Sequence, residues 1–262
     1  MFSFVRDIAN SIRRPEFWAL STWLDIVVRY RQSRLGIVWL LAPPALYTWG
    51  LGLFFSKMQS ADLSHFAAHV GIGYAIFRLM NSVITESCGA FQGAASFILD
   101  GHLRLTDFVL RVVAKAMFYF VMAMPSVIAA LMVFHGLQWH GLAMALLTFP
   151  VVVANAIWIA MVFAIIGGRF PDLGQLINNL FLFAFLFTPI IWYADAMPAG
   201  SVRGTFMRFN PLLHLIEIVR APILGENLEP LTIYFVAAMT VFGWLLAALL
   251  YRRYARFVPL WI

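Results

Sequence analysis

Charge is scarce in this chain: Asp, Glu, Lys and Arg make up 11% of its 262 residues, where a soluble domain carries about a quarter. Water therefore cannot be its principal solvent. Cysteine is scarcer still, and Cys88 alone excludes an intrachain disulfide and any multi-cysteine metal site. Lysine occurs only at Lys57, after Ser56, and at Lys115, after Ala114. No phosphate-cradling GxxxxGK(S/T) loop exists, so ATP, if used, is hydrolysed on another polypeptide. The first residues interrupt their apolar side chains with Arg6, Asp7, Arg13, Arg14 and Glu16; without the unbroken core of a cleavable signal peptide, this segment is expected to be retained. No Ser/His/Asp or paired-carboxylate set falls at one membrane depth, and no catalytic residue is assigned. His65 and His69, four apart beside Asp62, have a spacing that can hold a metal, but interfacial polarity explains two histidines at a membrane boundary and no metal is assigned.

What is present is apolar, at 63% of the chain. A spanning helix needs about 20 apolar residues. Leu35 to Ser56 supplies the first, and Phe66 to Ala90 a second in spite of Arg78 and Glu86. Ala116 to Gly168 holds no charge at all, and its polar interruption from His135 to Gly141 divides it into a helical hairpin. Leu173 to Ala194 and Leu231 to Tyr251 complete six spans. The expected fold is an all-α integral membrane protein with a single domain over residues 1–262: an N-terminal region 1–34, a bundle 35–251 and a tail 252–262. With both termini inside, thirteen of the 18 Lys and Arg residues flank the cytoplasmic ends. That asymmetry places the termini in the cytoplasm and explains the net charge of +6 by membrane orientation and anionic lipid rather than by nucleic acid.

Three connecting regions stand out. Pro15 to Arg34 is amphipathic, with Phe17, Leu20, Trp23, Leu24 and Val27 at helical spacing and Asp25 and Arg29 four apart. It is expected to lie in the cytoplasmic interface, as a plain anchor or as a functional contact. Gln92 to Asp107 reads as a short cytoplasmic helix that docks on a partner, or as an interfacial loop. Between the fifth and sixth spans, Asn210-Pro211 is a helix start, and the following segment before Pro222 is too short to span. It is expected to form a re-entrant or surface helix pair at the outer mouth, with His214, Glu217 and Arg220 sharing a polar face. Arg78 and Glu86 are about 12 Å apart along one helix, too far to pair directly. Arg78 either meets an anionic substrate group or an interhelical acid, or snorkels toward the interface.

From Arg29-Tyr30-Arg31-Gln32-Ser33-Arg34-Leu35-Gly36 through Trp39 and Pro44, the chain resembles the permeases of ABC exporters for lipid-linked polysaccharides, whose first span follows a basic RY(K/R)xSxLG segment. Further matches follow in order: Gly168-Arg169-Phe170-Pro171-Asp172, Thr188-Pro189-Ile190, and Asn210-Pro211-Leu212 with Glu217 and Arg220. Pro43 and Pro171 depart from that pattern. The resemblance implies a homodimer in a bacterial inner membrane with separate ATPase subunits that carry the ATP and magnesium, while this chain holds no cofactor. It implies a lipid-linked polysaccharide as cargo, O-antigen first and capsule next, with teichoic acid a further member. A drug or small-lipid exporter of the same superfamily shares this topology, and a membrane-embedded lipid or sugar transferase is the rival of another class.

The resemblance also implies roles for particular residues. Phe97, Ile98, Leu99, Asp100 and Arg104 fall where the family docks its ATPase, and Asn210, Pro211, Glu217 and Arg220 at the outer gate. Arg29, Arg31 and Arg34 are expected to meet the lipid phosphate, since the guanidinium fork suits phosphate, or else merely to fix orientation. Gly174, Asn178, Phe181, Phe185, Thr188 and Trp192 recur at spacings of four and three and form one helical stripe. Together with Trp39, that stripe is expected to line the polymer path, although Asn and Thr also join packed helices.

Overall fold

The computed structural model describes residues 3–58, 62–101, 103–133, 139–197 and 200–262, and every regular element among them is helical. Five helices are long and apolar enough to cross a membrane: α3 (Gly36–Met58), α4 (Leu63–Cys88), α6 (Leu105–Val133), α7 (Trp139–Arg169) and the stretch Pro230–Trp261, whose regular part is α11 (Pro230–Tyr254). The polar interruption expected from His135 to Gly141 lies partly outside the described residues, and its last three residues already belong to α7.

Burial inverts what a soluble bundle shows. On α11, Leu245, Leu246 and Leu249 are exposed, while Val236, Gly243, Ala247 and Tyr251 face inward. Small residues let backbones approach closely where lipid makes burying leucine unrewarding. A Cβ on Gly243 would sit 2.1 Å from the Trp158 ring of α7. The same contact is fastened by Asn155, which donates to Thr240 Oγ1 at 2.8 Å and accepts from Trp158 Nε1 at 2.8 Å.

At the centre is α4, with 78% of its apolar window buried against 17% for the last span. It packs on α3, α6, α7 and the helices of the 173–224 region. Two N-terminal helices pack on α6, the first also on α11 and the second on the start of α3. The first, α1 (Phe4–Arg13), buries Phe4 against Trp244 and Tyr251, and Asp7 accepts from the Tyr251 hydroxyl at 3.0 Å. The second, α2 (Glu16–Tyr30), exposes Leu20, Trp23 and Leu24 and turns Thr22 and Ile26 inward. Asp25 does not take its helical neighbour Arg29. It accepts a two-pronged pair from Arg111 of α6 at 2.8 and 2.7 Å, a geometry only a facing guanidinium provides.

The expected fifth span is shorter than its apolar run. Helix α8 (Leu173–Phe187) has 15 residues, about 22 Å of rise, and Thr188 is already extended because the following Pro189 disfavours a helical conformation there. Beyond it lie α9 (Val202–Arg208) and α10 (Pro211–Leu224). Asn210 caps α10 by accepting from Leu212 N at 3.0 Å, and Gly225 ends it in the left-handed region at φ 69°. This helix runs through Pro222 and is buried on both faces, so His214, Glu217 and Arg220 point into protein rather than along an open polar side.

Candidate functional site

A cavity of about 510 Å³ opens between α4, α8, α3, α2 and α6. Its α4 wall is a face built at spacings of three and four: Tyr74, Phe77 and Arg78, Asn81 and Ser82, Thr85 and Glu86. Asn178, Phe181 and Phe185 of α8 form the opposite wall. At one end the lining is aromatic. Tyr47 of α3 stacks on Tyr74 with centroids 3.9 Å apart, and Phe77 meets Phe181 and Phe185 edge-on at 5.6 and 5.4 Å. At the other end the lining is charged. Arg78 Nη1 donates to the Tyr74 hydroxyl at 3.1 Å, and Arg29 Nη1 to the Tyr119 hydroxyl at 3.2 Å. Glu86 is held by Lys115 at 2.6 Å and by Ser82 at 3.2 Å, so it and Arg78 do not pair, in line with their separation on the helix.

The aromatic stripe expected on the fifth span is divided. Asn178, Phe181 and Phe185 line the cavity, while Thr188 is fully buried above it, donating to the Ala184 carbonyl and accepting from Asn210 at 2.8 Å. Trp192 donates its indole N–H to the Leu186 carbonyl at 3.2 Å. Phe183 and Phe187 face away and are exposed. Trp39 is half exposed and is not part of the lining, and Arg31 and Arg34 are exposed outside it.

The cytoplasmic connection forms α5 (Ala95–Leu99). Phe97 and Leu99 are exposed at 49% and 60%, beside exposed Asp100, whereas Ile98 is buried and Arg104 half buried. Phe97 rests edge-on against Phe17 of α2 at 5.9 Å, which in turn meets Phe108. Three of the five residues assigned to docking thus share an outward face, and Ile98 and Arg104 instead help line a separate cavity of about 420 Å³.

A second polar cluster surrounds Arg220 of α10. Arg220, fully buried, pairs with Glu217, donates to the Pro189 carbonyl at 2.8 Å and lies 3.9 Å from Glu226. A Cβ on Gly73 would stand 3.0 Å from its guanidinium, so α4 makes room for this one side chain. His69 sits between Glu226 at 2.9 Å and the Trp192 carbonyl at 3.3 Å, and His65 also faces Glu226. Burial pushes the Glu226 carboxyl up, but the His69 hydrogen bond and the Arg220 charge outweigh it and hold it below the usual range. Beside this cluster Arg208 grips Glu229 and lowers that carboxyl as well. Sequence reasoning explained His65 and His69 by interfacial polarity, assigned no metal, and did not foresee the Glu226 partner. Among the described residues no group of three or more His, Cys, Asp or Glu side chains is placed to hold a metal ion.

Sequence reasoning also passed over the α4 face, although polar residues at 78, 81, 82, 85 and 86 inside an apolar run share one helical side. The cavity thus has a charged end and an aromatic end, with the Arg220 cluster beyond it. Residues 16–224 match the family described as ABC-2 type transporter. The chain belongs to that family. Among its relatives, the O-antigen export system permease protein RfbA of Myxococcus xanthus is 22% identical over 241 residues, covering 89% of this chain and 90% of its own length. The polysialic acid transport protein KpsM of Escherichia coli is 21% identical over 233 residues, 87% of this chain and 89% of that one. The capsule polysaccharide export inner-membrane protein CtrC of Neisseria meningitidis is 18% identical over 206 residues, covering 78% and 77%. Within the ABC-2 family match lie both walls of the cavity and the Arg220 cluster's helix α10.

Proposed function

We propose that this chain is the membrane-spanning subunit of an ATP-driven exporter that carries a lipid-linked polysaccharide from the cytoplasmic to the outer side of a bacterial inner membrane, O-antigen ahead of capsule. The observation that carries this reading is the cavity between α4 and α8, because ring faces let successive sugars slide without holding any one strongly. Names of three relatives, all polysaccharide export or transport proteins, support it. In this reading α8 and the turn-rich segment 188–193 together make a sixth crossing, α9 and α10 form the re-entrant pair, and both termini are cytoplasmic. Two copies face each other and each binds a separate ATPase, which holds ATP and magnesium. Phe97, Leu99 and Asp100 dock on that ATPase, with Ile98 and Arg104 behind them. The path continues from Trp39 at the inner flank, past Phe181 and Phe185, to Trp192, and Asn210, Pro211, Glu217 and Arg220 form the outer gate.

Deleting the gene and restoring it with variants tests the reading. Loss of surface polysaccharide on deletion, and its recovery with the parent chain, is expected. Retained polysaccharide in the deletion strain with altered drug or small-lipid efflux would reject it. Phe97→Asp with Leu99→Asp is expected to uncouple export and ATPase association while the protein still accumulates in the membrane.

A further inference from the structure

Four buried residues of α3, Pro44, Thr48, Gly52 and Ser56, follow one another at strict intervals of four. An α-helix turns such a stripe by about 40° at each step, about 120° in all, and would carry it off a neighbouring helix. The stripe nevertheless stays on α4. A Cβ added to Gly52 would stand 3.2 Å from Ala67, and one added to Gly71 would stand 2.9 Å from the Thr48 methyl. What absorbs the drift is a π turn, Leu46–Leu51, whose one extra residue gives back about 100°.

That turn leaves Thr48 idle. Its hydroxyl is buried and has no hydrogen-bond partner among the described residues. Thr22, Thr188 and Thr240 each donate to the carbonyl four residues back at 2.7 Å. For Thr48 that carbonyl belongs to Pro44, and a π turn, which pairs residues five apart, puts it out of line. A buried hydroxyl without a partner costs stability in this state and gains it in any state that supplies one.

We propose that Leu46–Leu51 is a register switch in α3: in the π form Tyr47 lies on Tyr74 inside the cavity, and in the α form Tyr47 is withdrawn while Thr48 donates to the Pro44 carbonyl. With Gly52 seated on Ala67, it is the preceding part of α3 that turns, by about 100°. Tyr47 then leaves its stack on Tyr74, at 3.9 Å, and its edge contact with Phe185, at 5.7 Å. That preceding part is weakly tied by its own backbone, because Gly36–Leu41 is 3-10 helical and Pro43 and Pro44 have no N–H to donate. Removing one ring from the lining widens the cavity on the side of α3. The export reading supplies the purpose, a path that changes width as cargo passes, and for that purpose the switch rests on that reading.

The test is fluorine NMR of the full chain in phosphatidylcholine nanodiscs, with fluorotyrosine in place of Tyr47. Two exchanging resonances are expected, one stacked and one free. Thr48→Val keeps the shape and removes the hydroxyl that only the α form uses, so it should shrink the free resonance about threefold to tenfold, the worth of one hydrogen bond. Thr48→Ser should restore it. Deleting Gly50, whose Cα faces open space, removes the extra residue and should leave one resonance with a melting temperature at or above the parent's. Surface polysaccharide at matched protein level should fall with Thr48→Val and with the deletion, and hold with Thr48→Ser. A single resonance in the parent, or populations that Thr48→Val leaves unmoved, overturns the proposal. A population shift without an export defect overturns its place in transport. If the deletion variant fails to accumulate, Thr48→Val decides alone, since valine fills the same volume. Failure of the two readings is separable, because unchanged surface polysaccharide on gene deletion defeats export while the resonances still judge the switch.

Discussion

Arg220 and Arg78 carry the same side chain, the first packed on Gly73 of α4 and the second borne by the same helix five residues further on, and have opposite surroundings. Arg220 is fully enclosed by Glu217, Glu226 and the Pro189 carbonyl, and it holds α10, α4 and the end of α8 together. Arg78 faces one phenol and open space. The difference separates a charge that belongs to the fold from one left available to a ligand. Enclosure with opposite charge marks the first, and membrane-depth burial without it marks the second.

The largest effect should come from breaking the enclosed side. Arg220→Met leaves two buried carboxylates without their cation, and a loss of about 3–5 kcal/mol is expected, read as a collapse of detergent-solubilised thermal stability and of membrane protein level. Arg78→Gln should go the other way, within about 1 kcal/mol of the parent or above it, because it removes a charge no carboxylate balances. Equal destabilisation by the two variants would erase the distinction between them.

Asn210→Ala is expected to cost about 1 kcal/mol, since it removes the cap of α10 and the bond to Thr188 that ties that cap to α8. On the cavity side, Phe181→Ala with Phe185→Ala should lower export at matched protein level, whereas Phe183→Ala with Phe187→Ala, on the exposed face, should leave it near the parent value. Equal export defects from both faces would count against the path. The smallest effect concerns pH. Glu226 and Glu229 are both held below their ordinary range, so each contributes stability that is fully present above about pH 4.5 and is lost as pH falls through the lowered folded value. Melting of the outer end, followed by proteolysis at the Gly225–Glu229 loop, should therefore begin only in strong acid.

Much of this architecture could be read from the sequence because lipid imposes long uncharged runs. The runs containing α3, α4, α6, α7 and α11 are all apparent, with boundaries displaced by a few residues except at α6, which begins at Leu105, eleven residues before the uncharged run from Ala116. Helix α8 was overextended because hydropathy counts apolar residues and is blind to Pro189, which stops the helix inside an apolar stretch. Asp25 and Arg29 looked like a helical pair, but the bidentate fit of Arg111 is available only in three dimensions. Phe181 and Phe185 were recognised by periodicity, whereas Tyr47 and Tyr119 reach the cavity from other helices, and nothing in their local sequence announces it. Buried ionic clusters are the least legible feature, since His69 and Glu226 are 157 positions apart.

Where α8 stops, carbonyls of its last turn and of the segment after it are taken up one at a time. Thr188 covers Ala184, the Trp192 indole covers Leu186, Arg220 covers Pro189 and His69 faces the carbonyl of Trp192. A helix distributes such duties evenly along its own backbone, so it yields all at once or not at all. Here they are delegated to side chains from α4, α10 and the segment itself. Each can be surrendered separately to a water molecule, which offers the same donor. This end of the molecule is thereby fastened like a row of clasps, each held by its own side chain.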